Sequence, residues 1–333
     1  MEVRDVDPRD DDVLAQYQQM AYRAEMHERP WENMWSLEEV RSRFQHKSSS
    51  QRMELYCAFD GGRVVGGGFA EFPLLDNTDK VYAHVSVEPD LHRRGIGTAV
   101  VEHLVARCRQ EGRSAVIGGT SYPFDQREDH PYRLFAEKNG FALANTEVIR
   151  VLRLPVPRQT LLAMAAECAP HHDGYRIETH VDELPDRLVE SYCSLQNQLV
   201  LDAPQGDLDF EEEAVTPEVY LEEVARMRSA GRQRYTTVAL DRDGVVVAHT
   251  DLVLPGQEVH KILQWGTLVR RDHRGHRLGA AVKVANLLAV QDAHPERTMV
   301  STSNAEVNAS MVGINDRLGF EAVAVCPMFQ RRL

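Results

Sequence analysis

The segment 87–97 reads Val87-Glu-Pro-Asp-Leu-His-Arg-Arg-Gly95-Ile-Gly97, and the segment 269–279 reads Val269-Arg-Arg-Asp-His-Arg-Gly-His-Arg277-Leu-Gly279. In both, an apolar strand end leads into a basic, glycine-containing loop and then into an amphipathic helical pattern. The two copies lie 182 residues apart, and the same separation relates the turn signals at 60–62 and 242–244. A separation of 179 relates the Gly-Phe pairs at 140–141 and 319–320. Three ordered matches at nearly constant separation predict a duplicated domain.

Composition narrows the class of protein. The 333 residues carry a formal net charge of −13 and are 43% hydrophobic, which predicts about two domains and argues against a nucleic-acid binder. The acidic surface suits a cationic small partner, although it also serves solubility. The five cysteines are scattered without a CxxC pair, so we expect neither a disulfide framework nor a metal site.

The sequence shows no targeting or membrane segment. Its first residues, Met1-Glu-Val-Arg-Asp-Val-Asp7, lack the apolar core of a signal peptide, and no run of about 18 apolar residues occurs. We therefore expect a cytoplasmic, reduced protein without a membrane partner.

The order of helix and strand patterns predicts an α/β fold with a mixed sheet in each half. Each half reads α-α-β-β-β-α-β-α-β, and the basic loop follows the third strand pattern. The stretch Leu154-Pro-Val-Pro157 interrupts regular structure. We therefore predict a first domain at 1–155, a linker at 156–172 with a possible helix over 159–168, and a second domain at 173–333.

The two halves differ between their first two helices. The second half carries Asp202-Ala-Pro-Gln-Gly-Asp-Leu-Asp-Phe-Glu-Glu-Glu213 there, with six acidic residues in twelve. One interpretation is a solvated, mobile loop. The other is a lid that attracts an ammonium-bearing substrate.

The repeated loop has the features of a phosphate-binding site. A helix N-terminus carries unpaired N–H groups and the positive end of the helix dipole. Gly95 and Gly97 let the backbone approach an anion closely, and arginines in both loops add positive charge. No GxxxxGK[ST] motif and no GxGxxG with a downstream acid occurs, so a P-loop or a dinucleotide-binding unit is not expected.

The element order and the loop resemble the GNAT acyltransferase superfamily. Its usual loop is [Q/R]-x-x-G-x-[G/A], and its usual final helix is N-x-x-A-x-x-x-Y-x-x-x-G-F. The resemblance covers nearly the whole chain as two tandem domains, an architecture similar to that of mycothiol synthase, whose substrate is not implied here. It implies an acyl-coenzyme A, first of all acetyl-coenzyme A, as co-substrate, with no metal. The acceptor implied is a small-molecule amine.

The loop pattern carries over position by position. In the first loop both glycines match and His92 stands at the Gln/Arg position. In the second loop Arg274 and the last glycine match, while Arg277 replaces the middle glycine. The resemblance implies that both loops, the strand ends before them and one asparagine contact coenzyme A. These residues are Val85, Ser86, Val87, His92, Arg93, Arg94, Gly95, Ile96, Gly97, Thr98, Leu268, Val269, Arg274, Gly275, His276, Arg277, Leu278, Gly279, Ala280 and Asn308.

The final helix departs from the family pattern in both halves. In the second half Asn308 matches the asparagine, but Asn315 stands where the tyrosine is expected. In the first half Asp129 and Ala136 occupy these two positions, and Tyr132, one turn earlier, is a possible substitute. An asparagine can donate a hydrogen bond but cannot release a proton to a leaving thiolate.

The resemblance implies direct attack of the amine on the thioester in a ternary complex. Backbone N–H groups of the splayed strand would stabilise the oxyanion. The amine must lose a proton, which calls for a base. The candidates are His249, Asp251 and His260 in the second half, with Gln264 as an orienting group, and Glu71 and His84 in the first half.

We assign the catalytic role to Asn315, Asp251 and His249 in the second half, because this half keeps the asparagine and carries the acidic run. The first half is then a degenerate partner that binds coenzyme A unproductively or serves structure. A non-catalytic acyl-coenzyme A sensor or scaffold stays open, because both halves lack the tyrosine. A longer acyl chain or an acyl carrier protein as donor also stays open, and the oligomeric state is not predicted.

Overall fold

The chain forms two compact units, and each contains segments from separate parts of the sequence. Unit 1 contains residues 1–148, 205–211 and 323–333, and unit 2 contains residues 149–204 and 212–322. The structure, a computed structural model, describes all residues from Met1 to Leu333. The predicted boundaries at 155 and 173 describe the duplication and stay a prediction. The compact units follow other bounds, because a late segment completes the first sheet.

Unit 1 combines one sheet with four helices. Its strands are β1 (Glu2–Asp5), β2 (Gln51–Asp60), β3 (Arg63–Pro73), β4 (Lys80–Val87), β5 (Ala115–Gly119), β6 (Tyr122–Pro123) and the first part of β7 (Ala142–Arg153). Its helices are α1 (Asp11–Met26), α2 (Leu37–Gln45), α3 (Ile96–Gln110) and α4 (Pro131–Lys138). Helix α2 begins at a capping box, in which Ser36 and Glu39 exchange side-chain and backbone hydrogen bonds.

Unit 2 repeats this plan with additional helices. Its helices are α5 (Arg158–Cys168), α6 (Asp186–Asn197), α7 (Leu199–Asp202), α8 (Pro217–Ser229), α9 (Leu278–Ala293) and α10 (Ala309–Leu318). Its strands are β8 (Arg176–Val181), β9 (Gln233–Leu240), β10 (Val246–Leu254), β11 (Lys261–Val269) and β12 (Met299–Ala305). The last strand of the chain is β13 (Glu321–Arg332).

The strand order places the late segment inside the first sheet. In unit 1 the order is β1-β2-β3-β4-β5-β13-β7, and β5 pairs with β13 antiparallel from Gly119↔Met328 to Ala115↔Arg332. In unit 2 the order is β12-β11-β10-β9-β8, with the last residues of β7 beside β12. The predicted α/β fold with mixed sheets is therefore confirmed. No helix combines the length and the apolar character that a membrane crossing requires.

The predicted element order missed the first strand of each half. The strands β1 and β8 precede the first helices of the two halves. Four residues, of which only Val3 is apolar and half-buried, give β1 a weak pattern. Strand β8 lies at the edge of its sheet, where none of its residues is fully buried. Edge strands of this kind carry little of the apolar alternation that identifies a strand.

The acidic run 202–213 is anchored by local contacts, although Asp207, Asp209, Glu211 and Glu212 stay exposed. Leu208 is 5% exposed and packs in unit 1 against Ile117 and Ala144. Glu211 accepts a hydrogen bond from the backbone N–H of Asn77 at 2.8 Å and donates its own N–H to the Asn77 side chain at 3.0 Å. Apolar residues between the acids anchor the run, so the expectation of a mobile loop is corrected, and the attraction of an ammonium-bearing substrate stays a prediction.

Candidate active site

The first basic loop opens a cleft at the start of α3. Gly95 adopts a left-handed conformation (φ 84°) immediately before the helix, and no atom lies within 4 Å of the position of a β-carbon there. No side chain caps the first turn of α3. The uncapped N–H groups therefore border a cleft that is lined by Arg93, Gly95 and Thr98 among others. This arrangement fits the diphosphate of a coenzyme A.

The cleft continues inward where β4 and β5 separate. The two strands pair in parallel only as far as Tyr82↔Ile117, although β4 continues to Val87 and β5 to Gly119. An inner cleft lies in this gap and is lined by segments 83–87 and 118–120. The inner and outer clefts share five lining residues, so the two clefts adjoin, and together they are called the channel. These residues are Val85, Val87, His92, Tyr132 and Phe135.

A buried carboxylate organises the polar wall of the inner cleft. Glu25, near the end of α1, lies 2.7 Å from His84 Nε2, accepts a hydrogen bond from Ser86 Oγ at 2.8 Å and pairs with Arg29 at 3.0 Å. The His84 ring stacks on Phe69, with ring centroids 5.6 Å apart. The imidazole is therefore fixed on one side by a carboxylate and on one face by an aromatic ring.

The charges around this pair set its protonation. Burial would raise the pKa of Glu25, but His84, Arg29 and the Ser86 hydrogen bond lower it to about 2. Burial would lower the pKa of His84, yet the Glu25 carboxylate outweighs this effect and raises it. When His84 is neutral, its Nε2–H can bond Glu25, which leaves Nδ1 as the proton acceptor.

Tyr132 on α4 provides a second ionisable group of the channel. It lines both clefts, and the Arg29 guanidinium lies 5.1 Å from its ring centroid. Burial raises the pKa of Tyr132, so the phenol keeps its proton at neutral pH. Ala136, at the position of the expected tyrosine, also lines the inner cleft. The structure thus brings the possible substitute Tyr132 to the same channel as His84.

The arginines of the second basic loop are already paired. The Asp202 carboxylate lies 2.6 Å from Arg271 Nε and 2.6 Å from Arg274 Nη2, and only 5% of the Asp202 side chain is exposed. Both hydrogen bonds are charge-assisted. The Asp202 carboxylate thus pairs with two arginines of this loop, where a bound phosphate would otherwise lie.

Segment 167–172 bonds to the second loop at two points, although residues 274–277 stay exposed. His276 Nδ1 lies 3.0 Å from the His171 carbonyl oxygen, and Arg277 donates to the Glu167 carbonyl oxygen at 3.3 Å. Arg277 replaces the middle glycine and adopts a left-handed conformation (φ 54°) before α9. Its backbone therefore follows the conformation of Gly95, but the side chain folds back onto the chain.

Polar side chains occupy the inner positions of unit 2. By the repeat separations, Lys283 corresponds to Val101 and Asn315 to Ala136, which both line the channel of unit 1. Lys283 donates a hydrogen bond to Asn315 Oδ1 at 2.9 Å, and Asn315 Nδ2 donates to Asn304 Oδ1 at 3.2 Å. Burial lowers the pKa of Lys283 to about 7.

The residues assigned a catalytic role are buried in unit 2. His249 and Asp251 are 1% and 2% exposed, and Asn315 is fully buried. Asp251 lies 3.0 Å from Arg234 Nε and from His249 Nδ1, and accepts a hydrogen bond from Tyr192 at 3.0 Å. Although burial opposes ionisation, Arg234 and His249 hold the pKa of Asp251 well below its usual range. His249, Asp251 and Asn315 therefore do not line an open cleft, and their catalytic role stays a prediction.

The remaining predicted residues make structural contacts. Gln264 donates to the Asp251 carbonyl oxygen at 2.8 Å, and Asn308 caps α10 by accepting from the Met311 N–H at 3.2 Å. His260 is exposed before β11, and Glu71 lies half-buried on β3. The coenzyme A residues expected in unit 1 therefore line the two clefts, with the exception of Arg94. In unit 2, the side chains of Arg274, His276, Arg277 and Asn308 bond to other parts of the protein.

Sequence reasoning missed Glu25 and Arg29. A signal for Glu25 was present, because it follows Ala21 by one helical turn on the buried face of α1. A carboxylate on an apolar helix face needs a partner. The partner His84, however, lies 59 residues later in the chain.

The comparison with known families matches this architecture. Residues 20–141 match the model of the acetyltransferase (GNAT) family. The matched segment is 122 of the 333 residues and contains the first basic loop. Proteins of this family are acyltransferases that use acyl-coenzyme A as co-substrate. No match was found among curated proteins.

Solved structures extend the likeness over the whole chain. A tandem GNAT protein from the clavulanic acid biosynthesis pathway is 22% identical, with a TM-score of 0.80 over 99% of this chain and 98% of its own. A GCN5-related N-acetyltransferase from Sphaerobacter thermophilus is 15% identical, with a TM-score of 0.60 over 99% of this chain and 95% of its own. At these identities the likeness establishes the tandem GNAT fold.

Proposed function

We propose that unit 1 binds acyl-coenzyme A and transfers the acyl group to an amine of a small, cationic acceptor. The observation that carries this proposal is the channel from the uncapped start of α3 to His84. In the proposed complex the diphosphate lies against the loop residues Arg93–Thr98, and the pantetheine arm follows the gap between β4 and β5. Acetyl is the acyl group we propose first.

The thioester carbonyl is proposed to lie along the unpaired part of β4. Residues 83–87 have no partner on β5, so the backbone on this side of the strand faces the gap. N–H groups aimed at the developing oxyanion lower the barrier to attack. The same gap aligns the arm with the acceptor, which makes the reaction local.

His84 is the proposed base and Tyr132 the proposed acid. The amine loses a proton to His84, and its nitrogen forms the new bond to the acyl carbon. The bond between carbon and sulfur then breaks, and the thiolate takes the phenolic proton of Tyr132. His84 and Tyr132 return to their starting states by proton exchange with water. Each residue lines the channel from its own element, β4 or α4.

This proposal departs from the preference for the second half. The departure rests on access, because unit 1 offers a channel while Asp202 pairs with the phosphate-loop arginines of unit 2. The net charge of −13 supports a cationic acceptor.

Acyl-coenzyme A binding without turnover is a second candidate. The observation in its favour is Ala136, which stands where the family tyrosine is expected. In this case the protein is a non-catalytic sensor or scaffold that binds acyl-coenzyme A. The two candidates differ in whether an acceptor amine releases coenzyme A thiol.

The deciding experiment measures thiol release from acetyl-coenzyme A with a panel of diamines, polyamines and amino sugars. We expect acceptor-dependent release, and we expect His84→Gln to lower kcat/KM by about 100-fold or more, as the loss of a base does. His103→Gln is the matched control, because His103 pairs with Asp5 outside the channel. Tight binding without thiol release by any amine would favour the sensor.

A further inference from the structure

The short helix α7 lies across the two places in unit 2 that correspond to the channel of unit 1. At its end, Asp202 pairs with Arg271 and Arg274 in the second basic loop. At its start, Leu199 packs against Gly266 on β11, where its Cδ2 lies 2.5 Å from the position that a β-carbon would take. One helical turn thus covers both the loop and the strand.

Gly266 of unit 2 occupies the position that corresponds to the reacting end of the channel in unit 1. By the separation of 182 residues, Gly266 corresponds to His84. It lies on β11 beyond Leu263↔Ser301, where parallel pairing with β12 stops. The strand therefore separates from its neighbour in unit 2 as it does in unit 1. Leu199 fills the space beside it with an apolar side chain.

A histidine nitrogen without a partner lies beside this leucine. His249 is 1% exposed and uses Nδ1 for Asp251, while its Nε2 is buried without a hydrogen bond. Its Cε1 lies 3.7 Å from the position of a β-carbon on Gly266. A buried imidazole nitrogen without a partner is costly, and a ligand in the gap at Gly266 would supply one.

We propose that unit 2 contains a second acyl-coenzyme A site and that Leu199 and Asp202 of α7 close it. Asp202 takes the position of a phosphate on the two arginines, and Leu199 takes the position of the thioester end beside His249. The site opens when α7 moves and both groups leave together. The ligand class rests on the proposed function of unit 1, whereas the closure rests on the contacts of α7.

The chemistry of the closure favours exchange over permanent blockage. Both ion pairs leave the arginines half exposed or more, since 68% of Arg271 and 50% of Arg274 remain accessible. A diphosphate carries more negative charge than one carboxylate and accepts bidentate hydrogen bonds from arginine. A weakened α7 contact should therefore convert a closed site into a measurable one.

The test blocks unit 1 and then releases α7. Gly97→Glu places a carboxylate at the start of α3, so titration calorimetry with coenzyme A should show no binding to this variant. Adding Leu199→Ala and Asp202→Asn should restore binding of one equivalent. Adding Gly279→Glu should abolish it again, because the new carboxylate would start between Val269 at the end of β11 and Ile314 on α10, each 3.5 Å from the position of the β-carbon.

Two controls keep the outcomes distinct. Leu201→Ala lies on the same turn but is 43% exposed, so in the Gly97→Glu background it should restore nothing. Asp202→Asn alone removes the charge without removing packing, and it serves if the double variant fails to fold.

A folded Gly97→Glu/Asp202→Asn variant without any binding overturns the proposal. Binding by Gly97→Glu itself that Gly279→Glu abolishes also overturns it, because the second site would then be open. Binding that neither glycine variant weakens contradicts the proposed site in unit 1 instead.

Discussion

At the scale of single residues, Glu25 distinguishes the channel of unit 1. It lies on the face of α1 that otherwise buries apolar side chains, and it joins His84, Ser86 and Arg29. A buried carboxylate with three partners is stabilised as an anion. Its charge in turn sets the protonation of His84, so the activity of the proposed base depends on a residue from another element.

Glu25→Gln should move the acidic limb of the pH profile of kcat/KM to lower pH. His84 acts as a base only when it is neutral, so activity rises as pH increases through its pKa. Glu25 raises that pKa. Two other charges have smaller effects, since Arg29 lowers the pKa of His84 and Glu32 raises it. Removing the carboxylate should therefore shift the limb to lower pH. The plateau should also fall about tenfold, because the ring is no longer fixed.

Glu88→Gln is the matched control for this profile. Glu88 is a buried carboxylate that pairs with Arg23 on α1, the helix that also carries Glu25. It does not line the channel. Its removal should leave the limb in place. An unchanged His84 titration in Glu25→Gln, followed by NMR, would contradict the pairing even in a protein without turnover.

Lys283 makes the free energy of unfolding depend on pH above neutrality. Its pKa is about 7 in the folded chain against a usual value of 10.5, so the unfolded chain binds this proton more tightly between these values. Stability therefore rises with pH across this window. Relative to Lys283→Met, the wild-type chain should gain about 2 kcal/mol of unfolding free energy from pH 7 to pH 9. Equal pH dependence in urea titrations of the two proteins would show that the lysine is not held neutral.

At the scale of elements, the turn before α3 prepares the helix start for an anion. Gly95 holds φ 84° and leaves open space beside it, so the first turn of α3 stays uncapped and accessible. Other residues tolerate this conformation at a cost of about 1–2 kcal/mol. The conformation of one residue thus contributes to both stability and binding.

Gly95→Ala should lower the unfolding free energy by about 1 kcal/mol and also weaken coenzyme A binding. Gly112→Ala is the control, because Gly112 has φ 68°, equally open surroundings and a position after α3. It should show a similar loss of stability with unchanged affinity. Equal affinities of the two variants in calorimetry would remove the loop from the binding site.

The sequence predicted the duplicated fold and both basic loops because these features are local. Periodic apolar residues, turn glycines and the helix after the loop lie close together along the chain. Which loop is open depends on contacts that are not local. Asp202 reaches Arg271 over 69 residues, and Leu199 reaches Gly266 over a similar length. The acidic run was visible in the sequence, but the partners of its first residue were not.

At the scale of the whole molecule, the sheet of unit 1 is completed by a late segment. Residues 323–333 belong to unit 1, and β13 pairs with β5 from Met328 to Arg332. Phe329, 3% exposed, lines the inner cleft from this strand. Fold and binding site of unit 1 therefore both require residues that follow unit 2 in sequence.

A chain ending at Ala322 should lose coenzyme A binding in unit 1, although every loop residue is present. Without β13, β5 loses its partner from Gly119 to Ala115, and the inner cleft loses Phe329. We expect a lower thermal transition and no binding in calorimetry. Phe329→Ala is the milder variant, and it should cost about 3–5 kcal/mol of stability. A shortened chain with wild-type affinity would show that β13 is dispensable.

The position of β13 in the sheet of unit 1 also has consequences for folding during synthesis and for division of the gene. On the ribosome, residues 1–148 emerge long before 323–333 are translated, so the nascent first sheet waits with the edge of β5 unpaired. An unpaired strand edge can pair with other chains, so aggregation of the nascent chain is favoured in this interval. For the same reason, a gene divided at its midpoint would not encode a first half that completes its own sheet.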